Sequence, residues 1–351
     1  MSPLSHEAPL RHEAPLPRDL PLPHELLWDL ATAGVAARCL HTVAELGVAD
    51  HLDHTPVPVA SLATACDVAP DALNRVLRLL VAHGVFDGTA EGYRHNPAST
   101  LLRTDHPRSM RPFAQLMGLP LTWGSLTELV RSVRTNRPGI EVLQASGIWR
   151  YLQDRPAEAE VFGRAMTAKA GADVAAVLHG YDFSRFETVA DVGGARGHLL
   201  LAVLDAVPEA TGILFELPEV VGSLDIEHPR MSAVAGDFFV DALPAADAYL
   251  LMEVLHDWAD DECVAILAAI RRAARMDATV LVVEGVLTDD RPDPRSGTLD
   301  VVMLAVTGGR ERTPAELGAL FERAGFVLQR VIPTAGPMRI VEARAAAAMS
   351  G

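Results

Sequence analysis

After Tyr181 the hydrophobic period of this 351-residue chain switches from helical to strand-like, and no other feature narrows the fold as far. Short β-branched runs then alternate with helical ones, at 187–192, 212–217, 231–235, 246–252, 278–284 and 327–333, with a last candidate at 338–343. A strand that returns parallel to its predecessor needs a crossover of a dozen or more residues, and such crossovers are right-handed. Strand, helix, strand in that order predicts an α/β domain over 181–351, with a Rossmann-like, doubly wound, mainly parallel sheet of seven strands. Ligands of such sheets bind beyond the carboxyl ends of the strands, so chemistry is to be sought there.

The first 180 residues read differently. Residues 1–23 carry six prolines and a short duplication, His-Glu-Ala-Pro-Leu at 6–10 and again at 12–16. They offer too little apolar surface to offset the entropy of ordering, and a disordered tail is expected. With no apolar h-region, the segment does not read as a secretory signal. Residues 24–105 form a compact helical unit. One apolar stripe runs from Leu26 to Val48, two short helices follow at 59–63 and 69–81, and a small hairpin closes the unit within 84–95. In the second short helix Leu73, Val76, Leu77 and Leu80 repeat at helical spacing. This is the order of a winged helix, which raises the question of DNA. Between 24 and 103, however, nine Asp and Glu face five Arg, and the whole chain has 46 acidic against 30 basic residues, a formal charge of −16. Phosphate binding needs the opposite sign, so we expect dimerisation or scaffolding and no nucleic-acid partner. Residues 106–180 read as further helices (109–119, 123–135 and 157–179), a linker and lid over an apolar ligand.

No run of about 18 apolar residues is present, so no membrane partner is expected. Cys39, Cys66 and Cys263 lie far apart without CxxC spacing, which fits a reduced cytoplasm. The one His-x-x-His pair, His51 and His54, is remote in sequence from the strand ends, and no metal is expected.

The first strand ends in Asp191-Val-Gly-Gly-Ala-Arg-Gly197, followed by a helical run. Gly193, Gly194 and Gly197 allow a tight turn and close approach to a ligand, and the next helix offers free N–H groups. Position 195 is alanine, so the GxGxxG dinucleotide pattern fails, and no Lys-Ser/Thr follows to make a P-loop. An acid just before the glycines repels a pyrophosphate and suits an ammonium group. Glu216 ends the second strand, 19 residues after Gly197, where a carboxylate accepts both ribose hydroxyls. A nucleoside with a cationic tail answers both acids, and S-adenosylmethionine fits. Gly236-Asp-Phe-Phe239 ends the third strand, so Asp237 and Phe238 are candidates for adenine. Asp191, Gly193, Gly194, Gly197, Glu216, Leu217, Asp237 and Phe238 are the expected cofactor residues.

The fourth strand runs into His256-Asp257-Trp258 and an acidic helix start. Acids there complement the helix dipole; a cation does not, so His256 is expected as a neutral imidazole, placed as a general base. A free imidazole near pKa 6.5 facing a phenol near 10 leaves full deprotonation about 3–4 pH units uphill, which favours proton removal as the methyl moves. Glu284 and Glu311 are both candidates for the carboxylate that orients the ring.

Taken in order, the Asp-Val-Gly-Gly loop, Gly-Asp-Phe-Phe, Leu-His-Asp-Trp, Glu284 and Gly308-Gly-Arg-Glu-Arg-Thr313 resemble the class I S-adenosylmethionine-dependent O-methyltransferases of the plant caffeate/flavonoid and bacterial polyketide-tailoring type, over residues 24–346. The resemblance implies a homodimer built through the N-terminal unit and a small aromatic hydroxyl acceptor. It implies His256 as base with Glu284 and Glu311 in support, and an acceptor pocket of Met117, Trp123, Asp257, Asp300 and Met303. The chain departs from the family at Ala195, where the loop has a third glycine, at Ala168 and Ala170 in place of serines near the cofactor's carboxylate, and at Met252 in place of a basic residue. It also has Glu216 where aspartate is commoner. An Ala195 with negative φ would keep the loop, and Lys169, the one lysine of the chain, is a substitute for the missing carboxylate contacts. The same departures keep a second reading open, a methyltransferase fold turned to a non-methylating reaction such as hydroxylation, decarboxylation or a pericyclic step.

Overall fold

The computed structural model describes residues 22–225, 227–288 and 293–346. A short hairpin, β1 (Asp87–Thr89) and β2 (Gly92–Arg94), is followed by seven strands: β3 (Thr188–Val192), β4 (Thr211–Glu216), β5 (Met231–Ala235), β6 (Ala248–Met252), β7 (Thr279–Gly285), β8 (Phe326–Pro333) and β9 (Met338–Ala345). The seven pair in the order β5-β4-β3-β6-β7-β9-β8. All are parallel from β5 to β7, and β9 runs antiparallel to both its neighbours. The strand order reverses between β3 and β6, and that seam is the switch point of the doubly wound sheet.

Burial explains the strands. Every residue of β7 is buried, as a central parallel strand covered on both faces requires. Alternation sends Tyr249 and Leu251 into one layer with Ile266, Leu267, Val280 and Phe321, under the helices Asp260–Ala273 and Pro314–Arg323. Leu250 goes to the opposite layer with Leu200, Val203, Leu214 and Ile340.

The N-terminal unit consists of the helices Pro23–Leu46, Val59–Ala65 and Pro70–Ala82 and the hairpin, around Leu62, Leu73, Leu77, Leu80 and Phe86. Tyr93 of the hairpin bridges to Val57 ahead of the second helix, which gives the wing. Of the tail expected over 1–23 only Leu22 and Pro23 are described, and Pro23 is already the first residue of the long helix. The single helix expected over 123–135 is broken into a turn at Pro120–Gly124, a short piece at Ser125–Thr127 and Leu129–Thr135. Gly124 is a poor helix former, and the Ser125 hydroxyl donates to the Leu121 carbonyl at 2.6 Å, a back-bond that bends helices. Among the described residues no helix is long and apolar enough to cross a membrane.

Candidate active site

The loop after β3 takes the left-handed backbone three times, at Gly193 (φ +70°), Ala195 (φ +52°) and Gly197 (φ +71°). The condition of a negative φ, under which Ala195 would be accommodated freely, is not met. The loop keeps its glycine geometry and the alanine carries the strain, which is on the order of 1–2 kcal/mol. Glu216 ties the loop to β4. One carboxylate oxygen accepts from Ala195 N–H at 3.1 Å and the other from Leu217 N–H at 2.5 Å. Asp191 lies beneath the loop, 1% exposed, with Oδ1 lacking any hydrogen-bond partner. A Cβ at position 194 would stand 2.3 Å from that carboxylate, so only glycine fits there. Burial, then the charge of Glu216, push the Asp191 carboxyl up to about 7, and burial raises Glu216 as well. An orphaned buried carboxylate and a second acid beside a glycine cradle are the donor-hungry surroundings that an ammonium group and ribose hydroxyls satisfy.

At the end of β5 the Asp237 carboxylate accepts from Phe239 N–H at 2.9 Å, closing a local turn. Phe238 and Phe239 both meet the Trp258 ring edge-on, at 5.8 and 4.8 Å between centroids, and Trp149 of the helix Gly147–Gln153 stacks on Trp258 at 6.0 Å. The helix Gly147–Gln153 thereby reaches the strand ends through an aromatic column that the sequence reading passes over.

His256 sits in a single turn, Leu255–Asp257, just past β6, and is 5% exposed. The two candidate carboxylates divide the work. Glu311 Oε1 stands 2.8 Å from Nδ1 and orients the ring, while Glu284, closing β7, accepts the His256 backbone N–H at 3.1 Å. Nε2 is left for chemistry, 3.8 Å from Asp257 Oδ1. Burial drags the imidazole down, but the Glu311 hydrogen bond and the charges of Asp257, Glu284 and Glu311 outweigh it and raise His256 to about 10. The three acids around the ring thus favour its protonated form, where the sequence alone suggested a neutral imidazole, and they narrow the proton-affinity gap to a phenol. Burial likewise pushes Glu284 up to about 7 and Asp257 to about 6.

Two residues outside the expected set hold this turn. Arg312, 1% exposed, donates to the carbonyls of Leu255 (3.0 Å) and Trp258 (2.7 Å) and pairs with Asp260 at 2.8 Å. Gly309 lets its segment approach: a Cβ there would lie 2.0 Å from the His256 carbonyl oxygen. Both belong to the Gly-Gly-Arg-Glu-Arg-Thr segment, whose arginines carry no signal until its contacts are known.

The expected acceptor residues are brought only partly together. Met303 and Asp300 lie on Pro294–Val306, which packs on the turn that carries Trp123. Asp300 Oδ1 accepts the Glu311 N–H at 2.8 Å, so it fixes the backbone of the residue that orients His256. Met117 lies on Arg111–Gly118. Trp123 turns to the N-terminal helix, edge-on to His41 at 5.3 Å and under the Arg38 guanidinium at 5.7 Å. Lys169 is paired with Glu253, the residue after β6, so in this structure its ammonium already has a counter-ion. Among the described residues no cluster of three or more His, Cys, Asp or Glu has the arrangement of a metal site.

Residues 28–105 match the O-methyltransferase dimerisation domain and residues 123–327 the O-methyltransferase domain. The chain is 36% identical to the mitomycin biosynthesis 6-O-methyltransferase of Streptomyces lavendulae, over 92% of this chain and 95% of that protein. Among solved structures, human N-acetylserotonin methyltransferase in complex with S-adenosylmethionine superposes with a TM-score of 0.87 at 27% identity, over 94% of this chain and 100% of that one. An O-methyltransferase from neocarzinostatin biosynthesis, in complex with S-adenosylmethionine and 2-hydroxy-5-methyl naphthoic acid, superposes with a TM-score of 0.76 at 32% identity, over 92% and 99%.

Proposed function

This chain belongs to the S-adenosylmethionine-dependent O-methyltransferases that carry an N-terminal dimerisation domain, and from that premise we propose that it methylates a phenolic hydroxyl of an aromatic secondary metabolite with His256 as general base. The observation that carries the reading is the Glu311–His256 pair at 2.8 Å, buried at the end of β6 beside the glycine loop. When bound, S-adenosylmethionine supplies an electrophilic methyl on a cationic sulfur. Asp191 would hold the ammonium of its tail, Glu216 the ribose, and Asp237 and Phe238 the adenine end. Gly193, Gly194, Gly197 and Leu217 provide backbone. Glu311 holds Nδ1 of His256 so that Nε2 takes the phenol proton, and the acids around the ring stabilise the imidazolium that results. Met117, Trp123, Asp257, Asp300 and Met303 border the acceptor, and proximity supplies the remainder of the rate.

The reading divides the chain at 24–105 for dimerisation, 106–180 for the lid and 181–351 for the cofactor and the base. A homodimer is supported by the helix Pro23–Leu46, where Leu27, Trp28 and Leu30 are 67%, 70% and 66% exposed on a single chain. Apolar side chains so placed call for a partner surface, and a second copy supplies one. Three scattered free cysteines support a cytoplasmic location.

The test is transfer of labelled methyl from S-adenosylmethionine to a panel of bacterial polyphenols. Wild type should label at least one phenol. His256→Ala should bind the cofactor as wild type does and label product about 10²–10⁴-fold more slowly. Cofactor binding without any labelled product, across the panel, would contradict the reading.

A further inference from the structure

The ion pair between Lys169 and Glu253 lies over the seam where the strand order reverses. Glu253 follows β6 in the left-handed backbone, φ +54°, a conformation that costs a non-glycine residue energy and needs a reason. It stands as far beyond Leu250 as Gly194 stands beyond its registered partner Asp191. A Cβ at Gly193 would lie 3.2 Å from Val254, so the two strand ends are in contact at this level. Lys169 comes from above, on Pro156–Gly180, the helix whose Thr167 meets His198 at 2.9 Å directly after the glycine loop. Its ammonium therefore bridges the lid helix and the β3–β6 seam.

The position bears on the cofactor, and the inference rests on the function proposed above. Glu216 at the end of β4 and Asp237 just past β5 would put the nucleoside on one side of β3, so its amino-acid tail would run toward β6, beyond which His256 lies. That tail ends in a carboxylate, and burying a carboxylate requires a cation or several donors. The other cations flanking the loop are turned elsewhere. Arg196 reaches Asp225 at 3.9 Å, on the β4 side, and His198 is engaged with Thr167. On the lid helix Ala168 and Ala170 beside Lys169 offer no polar group, and Met252 offers none on β6. We propose that Lys169 is the clamp for the carboxylate of the cofactor's amino-acid tail, and that Glu253 is the resting counter-ion which that carboxylate displaces. Glu253 keeps the ammonium neutralised and positioned at the seam, and the ligand exchanges one carboxylate for another at the same nitrogen.

Calorimetry with two ligands isolates the claim. S-adenosylhomocysteine carries the tail; 5′-methylthioadenosine has the same nucleoside and sulfur without it. Lys169→Met should weaken S-adenosylhomocysteine at least tenfold and leave methylthioadenosine unchanged, and Lys169→Arg should restore most of the loss. Glu253→Gln should tighten S-adenosylhomocysteine several-fold, because the competing anion is gone, again with no change for methylthioadenosine. Equal weakening of both ligands by Lys169→Met, or no weakening of either, would overturn the clamp, as would a weaker S-adenosylhomocysteine in Glu253→Gln. If wild type bound neither ligand, the cofactor site itself would be wrong and the clamp with it, whereas wild-type binding of both with no difference between the variants removes the clamp alone.

Discussion

Asp191 is a buried acid without a full set of partners, and the chain retains it where it costs the fold stability. Its carboxyl is raised from 3.8 to about 7. For a raised acid the penalty is absent below the unfolded value, where both states are protonated, and complete above the folded value, where both are ionised. The penalty thus grows from pH 4 to pH 8, to on the order of 4 kcal/mol. Asp191→Asn, neutral throughout, should gain melting temperature relative to wild type as pH rises across that window, while losing cofactor affinity. A difference in melting temperature that does not change with pH would show that the carboxylate is not strained by burial. His256 shows the opposite sign of the same physics: its proton is held by Glu311, Glu284 and Asp257, and sequence spacing cannot foresee a field built from residues 28 and 55 positions away.

Among the elements, the glycine loop and the first helix make the clearest demands. Ala195 occupies a left-handed position that the loop needs in order to present its N–H to Glu216. Ala195→Gly should raise stability by about 1 kcal/mol, read as a shift in denaturant midpoint at constant slope. An unchanged or lower midpoint would mean that the methyl is not strained. The helix Pro23–Leu46 exposes Leu27 and Trp28, and Leu27→Glu should convert the dimer into monomers by sedimentation velocity, whereas a persistent dimer would place the interface elsewhere. The strands of the large sheet were legible in the sequence to within two residues, the central β7 because its β-branched run buries every side chain. The break at Pro120–Gly124 was not, since it depends on a serine back-bond that the helical period conceals.

For the whole molecule, the sheet order brings Asp191, Glu216, Asp237 and His256 to one edge, and this follows from a pattern of strands readable before any contact is known. The pairings that give those residues their roles are long-range. Lys169 meets Glu253 across 84 positions, Glu311 rather than Glu284 takes the imidazole, and Trp123 faces His41. The site is dense in acid, as the net charge of −16 foretells, and the imidazolium it favours must lose its proton before it can accept one from a phenol. That requirement is most directly tested by single-turnover transfer of labelled methyl to a phenol, followed against pH in wild type and in His256→Gln. The rate in wild type should climb with pH as His256 deprotonates, and in the variant it should be at least 10²-fold lower at every pH below the phenol's own ionisation. Equal rates and equal pH profiles in the two proteins would contradict the assignment of His256 as the base.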